Sequence, residues 1–395
     1  MIDADLDSEL PTLSNEPDVL LIGVSTRAAA FSARRAGLTP LCIDQFSDVD
    51  LQSVARTIAA PAFPQDVERF ARDLPPIPVI YGGGCENQWD LLSGLAQQRP
   101  VWGNPAEVLQ RVRDPQQFYD VLQSTRLPAL EIRSADNPPP GDGTWLIKPL
   151  HSGGGRGIHV WNGTSDADLA DCYFQKYQPG SPCSAVFLAG KGPGDVRFVG
   201  LTRQLLGMPE FGGSGFQWCG NIGPINLDVA TEMLVRRLGN ILKWKFELVG
   251  LFGIDFVVDE SGTPWPTEVN PRYTASVELL EWACDLNLLG EHCRCFDPHV
   301  CIQPFRVTGT PGGEVLGKAI LYAPSDGSLQ YAAGHGTHAW EQWPELGDLP
   351  APGQPIAAGS PICTLYTSGS TEAGCLNKLK RLAEERMSKL WAPSA

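Results

Sequence analysis

The hydrophobic pattern opens with an apolar run from Val19 to Val24. It passes through a stretch rich in Ala and Arg that stops at Gly37, then returns to an apolar run ending at Asp44. Strand, helix and strand in that order predict a βαβ unit, and with it a parallel sheet. The runs "IPVIYGGG" and "PVWGN", the latter from Pro100 to Asn104, are expected to continue the sheet. After Gly23 come Val24, Ser25, Thr26 and Arg27 in place of further glycines, so a nicotinamide dinucleotide is not expected. Ligands bind such sheets outside the carboxyl ends of the strands, which is where Ser25, Arg27 and Glu86 fall. Helix capping accounts for Ser25 equally well.

A helix is predicted from Pro115 to Ser124, followed by "SADNPPPGDG" at 134–143. Three prolines flanked by glycine continue neither a helix nor a central strand, so a domain boundary or an exposed loop is expected there. Strands and helices alternate to about residue 300. Short apolar strands in "GEVLGKAILYAP" and "GSPICTLYTSG" follow, then a basic amphipathic helix from Glu372 to Trp391. The pattern predicts an α/β chain of three parts: an N-terminal parallel-sheet domain at 1–110, a central domain at 111–300 and a β-rich extension at 301–395. The last is too apolar to stand alone and is expected to pack on the central domain.

Two short stretches carry candidate chemistry. In "TWLIKPLHSGGGRGIHVW", a strand at Trp145 to Ile147 delivers Lys148, and the glycine-rich loop Ser152 to Gly157 precedes a second strand at Ile158 to Trp161. Glycines let successive N–H groups point at one anion, and the lysine adds a point charge, which suits phosphate. No lysine followed by Ser or Thr closes the run, so it is not a Walker loop. In "GIDFVVDESGTPWPTEVNPRYT", strands at Leu251 to Val258 and Thr263 to Asn270 flank a turn at Asp259 to Gly262. Centring that turn places Asp255 opposite Pro266 with Glu268 on its diagonal, and alternation puts Asp255, Glu268 and Asn270 on one face. Three hard oxygen donors suit magnesium, and Arg272 just beyond could grip a phosphoryl group. An exposed polar hairpin is the plain alternative.

Composition narrows the partners. The 395 residues suffice for two or three domains at roughly 150 each. A hydrophobic share of 43% with 19% charged is that of a globular protein. A net charge of −15 argues against nucleic acid. No run approaches the ~18 uncharged apolar residues of a membrane span. The acidic opening "MIDADLDSEL" does not resemble a signal peptide, so a cytoplasmic setting is expected. The 11 cysteines are odd in number and scattered, which favours reduced thiols. The run "EHCRCFDPHVC" offers His292, Cys293, Cys295, His299 and Cys301 as metal-ligand types, without the two-residue gap of a zinc knuckle. A helix end with buried thiols is its plain alternative. His335 and His338 in "GHGTH" have metal-like spacing within a glycine-flanked loop.

Lys148 before "SGGGRG", then "FQKYQPG" from Phe174 to Gly180, then Asp255 followed by "TEVNPR" together resemble the ATP-grasp superfamily. The resemblance implies an ATP-grasp fold behind a Rossmann-like domain, using ATP with magnesium or manganese. It implies that Lys148, Gly154, Gly155 and Gly157 hold the phosphates, with Arg113 as a second cation. Gln175, Lys176 and Tyr177 would lie along the adenine, Asp255, Glu268 and Asn270 would bind metal, and Arg272 with Lys148 would act in catalysis. The linker departs from the family at Lys176, where Glu is usual, and "PGSPCS" offers no acid for ribose. "GSGFQWCGNIGP" at 213–224 resembles a mobile cover over the site, and an ordinary surface loop accounts for it equally well.

The family joins a carboxylate to an amine through an acyl phosphate, so small-molecule carboxylate and amine substrates are implied, with a homodimer as the candidate assembly. The resemblance extends to the biotin carboxylase branch. That branch has a Gln-Val-Glu run two residues after the motif arginine, whereas here Tyr273, Thr274, Ala275 and Ser276 follow Arg272, and no biotinyl-lysine sequence is present. Both features argue against carboxylation. "NPRYTASVELLE" resembles ligases associated with one-carbon cofactors. This implies an amino acid such as glutamate added to a cofactor precursor, with Arg27 and Glu86 toward the substrate. A nucleotide-binding sensor without turnover is the rival reading.

Overall fold

Strand β1 (Val19–Gly23) is buried at every position, between β2 (Pro40–Asp44) and β4 (Val79–Tyr81), with β3 (Arg56–Ala59) beyond β2 and all pairings parallel. The computed structural model describes residues 16–164, 169–303, 315–331 and 340–394. Side chains of β1 alternate between two cores. Leu20 and Ile22 pack with α3 (Val67–Arg72) and α4 (Trp89–Ala96), whereas Val19 and Leu21 pack with α1 (Arg27–Arg35). Helices on both faces explain why the run carries no polar alternation. A short α2 (Val49–Gln52) follows β2. The 100–104 stretch pairs with the sheet through a parallel bridge from Val79 to Val101 and forms no full strand, while Tyr81 of β4 donates its hydroxyl to the Asn104 carbonyl at 2.9 Å. Pro100 and Pro105 bracket it, and proline cannot extend a ladder.

Helices α5 (Ala106–Arg113) and α6 (Pro115–Ser124) lead out of this domain. Asp114 caps α6 by accepting the Gln116 and Gln117 N–H groups, with Pro115 at the first helical position, where its missing N–H costs nothing. A second, antiparallel sheet has the order β5 (Ile132–Ser134), β8 (Cys172–Lys176), β6 (Trp145–Pro149) and β7 (His159–Val160). The proline-rich segment 134–143 joins β5 to β6 of that one sheet. It is therefore a loop and not a domain boundary, held down where Trp161 Nε1 donates to the Pro139 carbonyl at 2.9 Å.

The largest sheet is antiparallel and runs β13 (Pro264–Asn270), β12 (Gly250–Val258), β9 (Ser181–Ala189), β10 (Val196–Leu206), β11 (Trp218–Gly223), β14 (Val315–Tyr322), β18 (Pro361–Gly369) and β16 (Leu346–Gly347). Helix α7 (Val229–Phe246) packs Val235, Leu238 and Leu242 against Phe187 and Phe252 of this sheet. Helices α8 (Ala275–Cys284) and α9 (Leu288–Phe296) share a core with α1, Val186 and Leu251, which docks the first domain on the large sheet. The C-terminal strands β14 and β18 continue the large sheet from β11, and α10 (Glu372–Leu390) buries Cys375, Leu379 and Ala383 beside Ile222 and Leu365. A small sheet of β17 (Pro355–Ile356), β15 (Gly327–Leu329) and β19 (Trp391–Pro393) closes the tail. Among the described residues no helix is long and apolar enough to cross a membrane.

Candidate active site

A cavity of about 1040 Å³ lies between the first domain, the β5–β8 sheet and the large sheet. At one end sits Lys148, which β6 carries inward. It is buried, and its ammonium donates to Gln175 Oε1 at 3.2 Å and to the Thr267 carbonyl at 3.3 Å. The glycine-rich loop beside it has positive φ at Gly154, Gly155 and Gly157. At Gly155 a Cβ would come within 2.0 Å of the Phe216 carbonyl oxygen, and Trp218 N donates to the Gly154 carbonyl at 2.9 Å. The 213–224 segment therefore lies directly against the loop. Lys176 reaches Thr144 Oγ1 at 2.9 Å, and Tyr177 is 39% exposed at the cavity edge.

The hairpin register differs from the expected one. Asp255 pairs directly with Glu268 and Phe256 with Pro266, so a bulge at Thr267 absorbs the extra residue. Pro266 has no N–H to give the ladder, which favours an irregularity beside it. Asp255, Glu268 and Asn270 still converge on the cavity, with Asn270 Nδ2 donating to Asp255 Oδ2 at 3.0 Å. Burial, then the Glu268 charge, pushes the Asp255 carboxyl up to about 6. Burial would raise Glu268 as well, but the Arg113 charge, then Lys148, holds it below the usual range.

Arg113, at the end of α5, pairs with Glu268, and its Nε donates to Asn87 Oδ1 at 3.1 Å. It therefore meets the metal-type carboxylate in this structure. Arg272 Nε donates to Glu86 Oε1 at 2.7 Å. Burial acts to raise Glu86, and the Arg272 and Arg113 charges override it to hold the carboxyl low.

Arg27 lines the cavity but is not a free cation. Its Nη2 lies 2.8 Å from Glu278 Oε1 and its Nε 3.0 Å from Asp348 Oδ1, so the expected substrate grip at Arg27 is already filled by protein carboxylates. Glu86 is likewise held by Arg272 and does not pair with Arg27. Glu278, Lys318, Asp348 and Asp48 form a second end of the cavity that the sequence reading missed. Glu278 in "ASVELLE" carried a signal, being a carboxylate in an otherwise apolar helix turn. Lys318 in the apolar β14 carried another.

Among the described residues no three His, Cys, Asp or Glu side chains are grouped to hold a metal by themselves. His292 in the Cys/His run has both ring nitrogens engaged. Leu251 N donates to Nδ1 at 2.9 Å, Nε2 meets the Trp102 carbonyl at 3.0 Å, and burial pushes the ring down to about 4. His335 and His338 lie outside the described residues.

A lysine beside a left-handed glycine loop, two carboxylates with an amide, and two arginines gather around one cleft. Residues 112–276 match the family model described as an ATP-grasp domain. The biotin carboxylase domain of Hydrogenobacter thermophilus 2-oxoglutarate carboxylase, solved as a dimer with MgADP and bicarbonate, superposes with a TM-score of 0.68 at 13% identity, over 96% of this chain and 91% of that one. The L-amino acid ligase of Bacillus licheniformis gives 0.64 at 14% identity, over 97% and 100%. N5-carboxyaminoimidazole ribonucleotide synthetase of Thermotoga maritima gives 0.64 at 13%, over 96% and 100%. At such identities the likeness is one of fold. An uncharacterized protein of Methanocaldococcus jannaschii is 28% identical over 153 residues, 37% of this chain and 35% of that protein, so the chain matches about a third of that relative's length.

Proposed function

We propose that this protein is an ATP- and magnesium-dependent ligase that joins a carboxylate to an amine through an acyl phosphate. The observation that carries the reading is the convergence of Lys148, the glycine loop, Asp255, Glu268, Asn270 and Arg272 on one cavity inside an ATP-grasp fold. The donor set fits magnesium. Two carboxylates and an amide are hard oxygen ligands too few to complete a shell, which leaves positions for water and nucleotide phosphates. Burial first, and then repulsion from Glu268, raises the Asp255 carboxyl, and a dication would relieve that repulsion. When bound, the ion neutralises phosphate charge and orients the phosphoryl group.

The chain's own residues do the remainder. Lys148 and the N–H groups of the glycine loop cradle phosphate, and Gln175, Lys176 and Tyr177 border the base. Arg113 fixes the Glu268 carboxylate. Arg272, oriented by Glu86, faces the transferring group, where preorganised charge lowers the barrier. The 213–224 segment against the glycine loop excludes water from a reactive acyl phosphate.

Amino acids, glutamate first, are the carboxylate pool to screen, with bicarbonate alongside and one-carbon-carrier precursors among the amines. Release of ADP and phosphate is the assay. ADP release that requires both a carboxylate and an amine is expected. Tight ATP binding with no turnover on any pair would replace the ligase with a nucleotide sensor.

A further inference from the structure

The end of the cavity away from Lys148 holds more carboxyl groups than cations. Asp48, Asp348 and Glu278 line it, with Asp50 beside Arg27, four carboxyl groups against two cations, Arg27 and Lys318. Both cations are already engaged, Lys318 Nζ with Glu278 Oε2 at 2.8 Å and Arg27 with Glu278 and Asp348. Asp50 also lies 3.5 Å from Arg27 Nε and accepts the N–H groups of Asp348 and Leu349.

Asp48 differs from the others. It stands at the N-cap of α2, where an Asp side chain normally accepts a helix N–H, yet it makes no capping bond. Its carbonyl accepts the Gln52 N–H at 3.0 Å, but among the described residues its carboxyl has no hydrogen-bond or ion-pair partner; the residue is only 7% exposed and lines the cavity. Burial, then the neighbouring Asp348, Asp50 and Asp44 charges, pushes its carboxyl up to about 9. A buried polar group without a partner is costly and therefore rare, and a ligand that supplies the partner removes the cost.

The approach to this end is apolar, with Ile320, Ile356 and Ile362 along the wall. Its distance from the metal-type residues follows from the sheet. Asp255 is on β12, and Thr364, whose Oγ1 donates to Asp348 Oδ2 at 2.5 Å, is on β18, five strand spacings away. At ~4.8 Å per strand these two strands are at most roughly 24 Å apart across the sheet.

We propose that the Asp48–Asp348 end of the cavity binds a remote alkylammonium group of the amine substrate, whose methylene chain lies along the apolar wall. The acceptor is then an extended amine with a second cationic group. This rests on the ligase reading for the role of the bound molecule, while its binding is measured without turnover.

Spermine and hexylamine serve as probes in calorimetric titrations of the whole chain. Spermine is expected to bind at least ~10-fold more tightly than hexylamine, and Asp48→Asn to remove that advantage, as loss of a buried charge pair does. Binding to the wild type should release a proton, read from the dependence of the heat on the buffer, and binding to Asp48→Asn should not. The variant removes the cost of holding a buried carboxyl protonated, so its melting temperature should equal or exceed that of the wild type, which separates lost binding from lost folding. Equal affinities for the two probes, or unchanged spermine affinity in Asp48→Asn, would overturn the subsite. Asp48-dependent spermine binding with no ADP release on any pair would instead leave the subsite standing and remove the ligase.

Discussion

Arg272 donates through Nε to Glu86 Oε1 at 2.7 Å, tying the end of β13 to the turn after β4 across the cavity. One side of that contact belongs to the parallel-sheet domain and the other to the proposed phosphoryl site, so Glu86 aims the guanidinium. Glu86→Gln keeps the shape and removes the charge. The expected result is a fall in kcat of about 10-fold, with nucleotide affinity changed by less than about 2-fold, because positioning acts on the transition state more than on the ground state. Equal losses in kcat and in nucleotide binding would place Glu86 in the binding site itself.

Glu268→Gln should abolish turnover, by about 100-fold or more, while the melting temperature stays near the wild-type value, since the half-buried side chain supplies charge and not core packing. Magnesium titration of nucleotide binding checks the cause. Lys148→Ala should instead weaken ATP binding by roughly 10-fold or more, the worth of one charge-assisted hydrogen bond. Unchanged nucleotide affinity would remove Lys148 from the phosphate site.

Gly155 combines φ of +76° with a Cβ position 2.0 Å from the Phe216 carbonyl oxygen. Gly155→Ala must therefore separate the glycine loop from the 213–224 segment, at a cost of about 1–3 kcal/mol in the closed arrangement. Thermal melts with and without a non-hydrolysable ATP analogue should show a smaller nucleotide-induced shift than the wild type. A wild-type shift would mean that the two segments need not touch.

Truncation near residue 300 removes β14 and β18, exposes the β11 edge, and leaves Glu278 and Arg27 without Lys318, Tyr366 and Asp348. Unpaired buried charge and an open apolar edge both favour aggregation. The shortened chain should be insoluble on expression. A soluble, fully active product would make the tail a separate appendage.

Asp48 also sets a pH dependence. Its carboxyl rises from an ordinary 3.8 to about 9 in the folded chain, so the folded state binds that proton more tightly than the unfolded state. The stability this contributes is complete below pH 3.8 and is lost as pH rises through about 9. One proton gives a slope of at most about 1.4 kcal/mol per pH unit. Denaturant titrations between neutral pH and pH 9 should show Asp48→Asn losing less stability than the wild type. Parallel curves would show that Asp48 is not the group responsible.

Local chemistry was legible along the chain because it depends on neighbours in sequence. The buried β1, the Pro-started α6, the Lys148 strand with its glycine loop, and the carboxylate hairpin all follow from apolar period, proline placement and turn residues. The one-residue bulge opposite Phe256 was not legible, since alternation fixes faces but not an irregularity in register. Long-range charge pairing was beyond the sequence altogether. Arg27 meets a carboxylate 251 positions away in Glu278 and another 321 away in Asp348, and nothing local distinguishes that arginine from one open to a substrate. The sequence determined which side chains could hold phosphate and metal. The tertiary structure decided which charges are already neutralised and which carboxyl, that of Asp48, is left facing a cavity without a partner, because neutralisation in a protein interior depends on distances that only the packed sheets set.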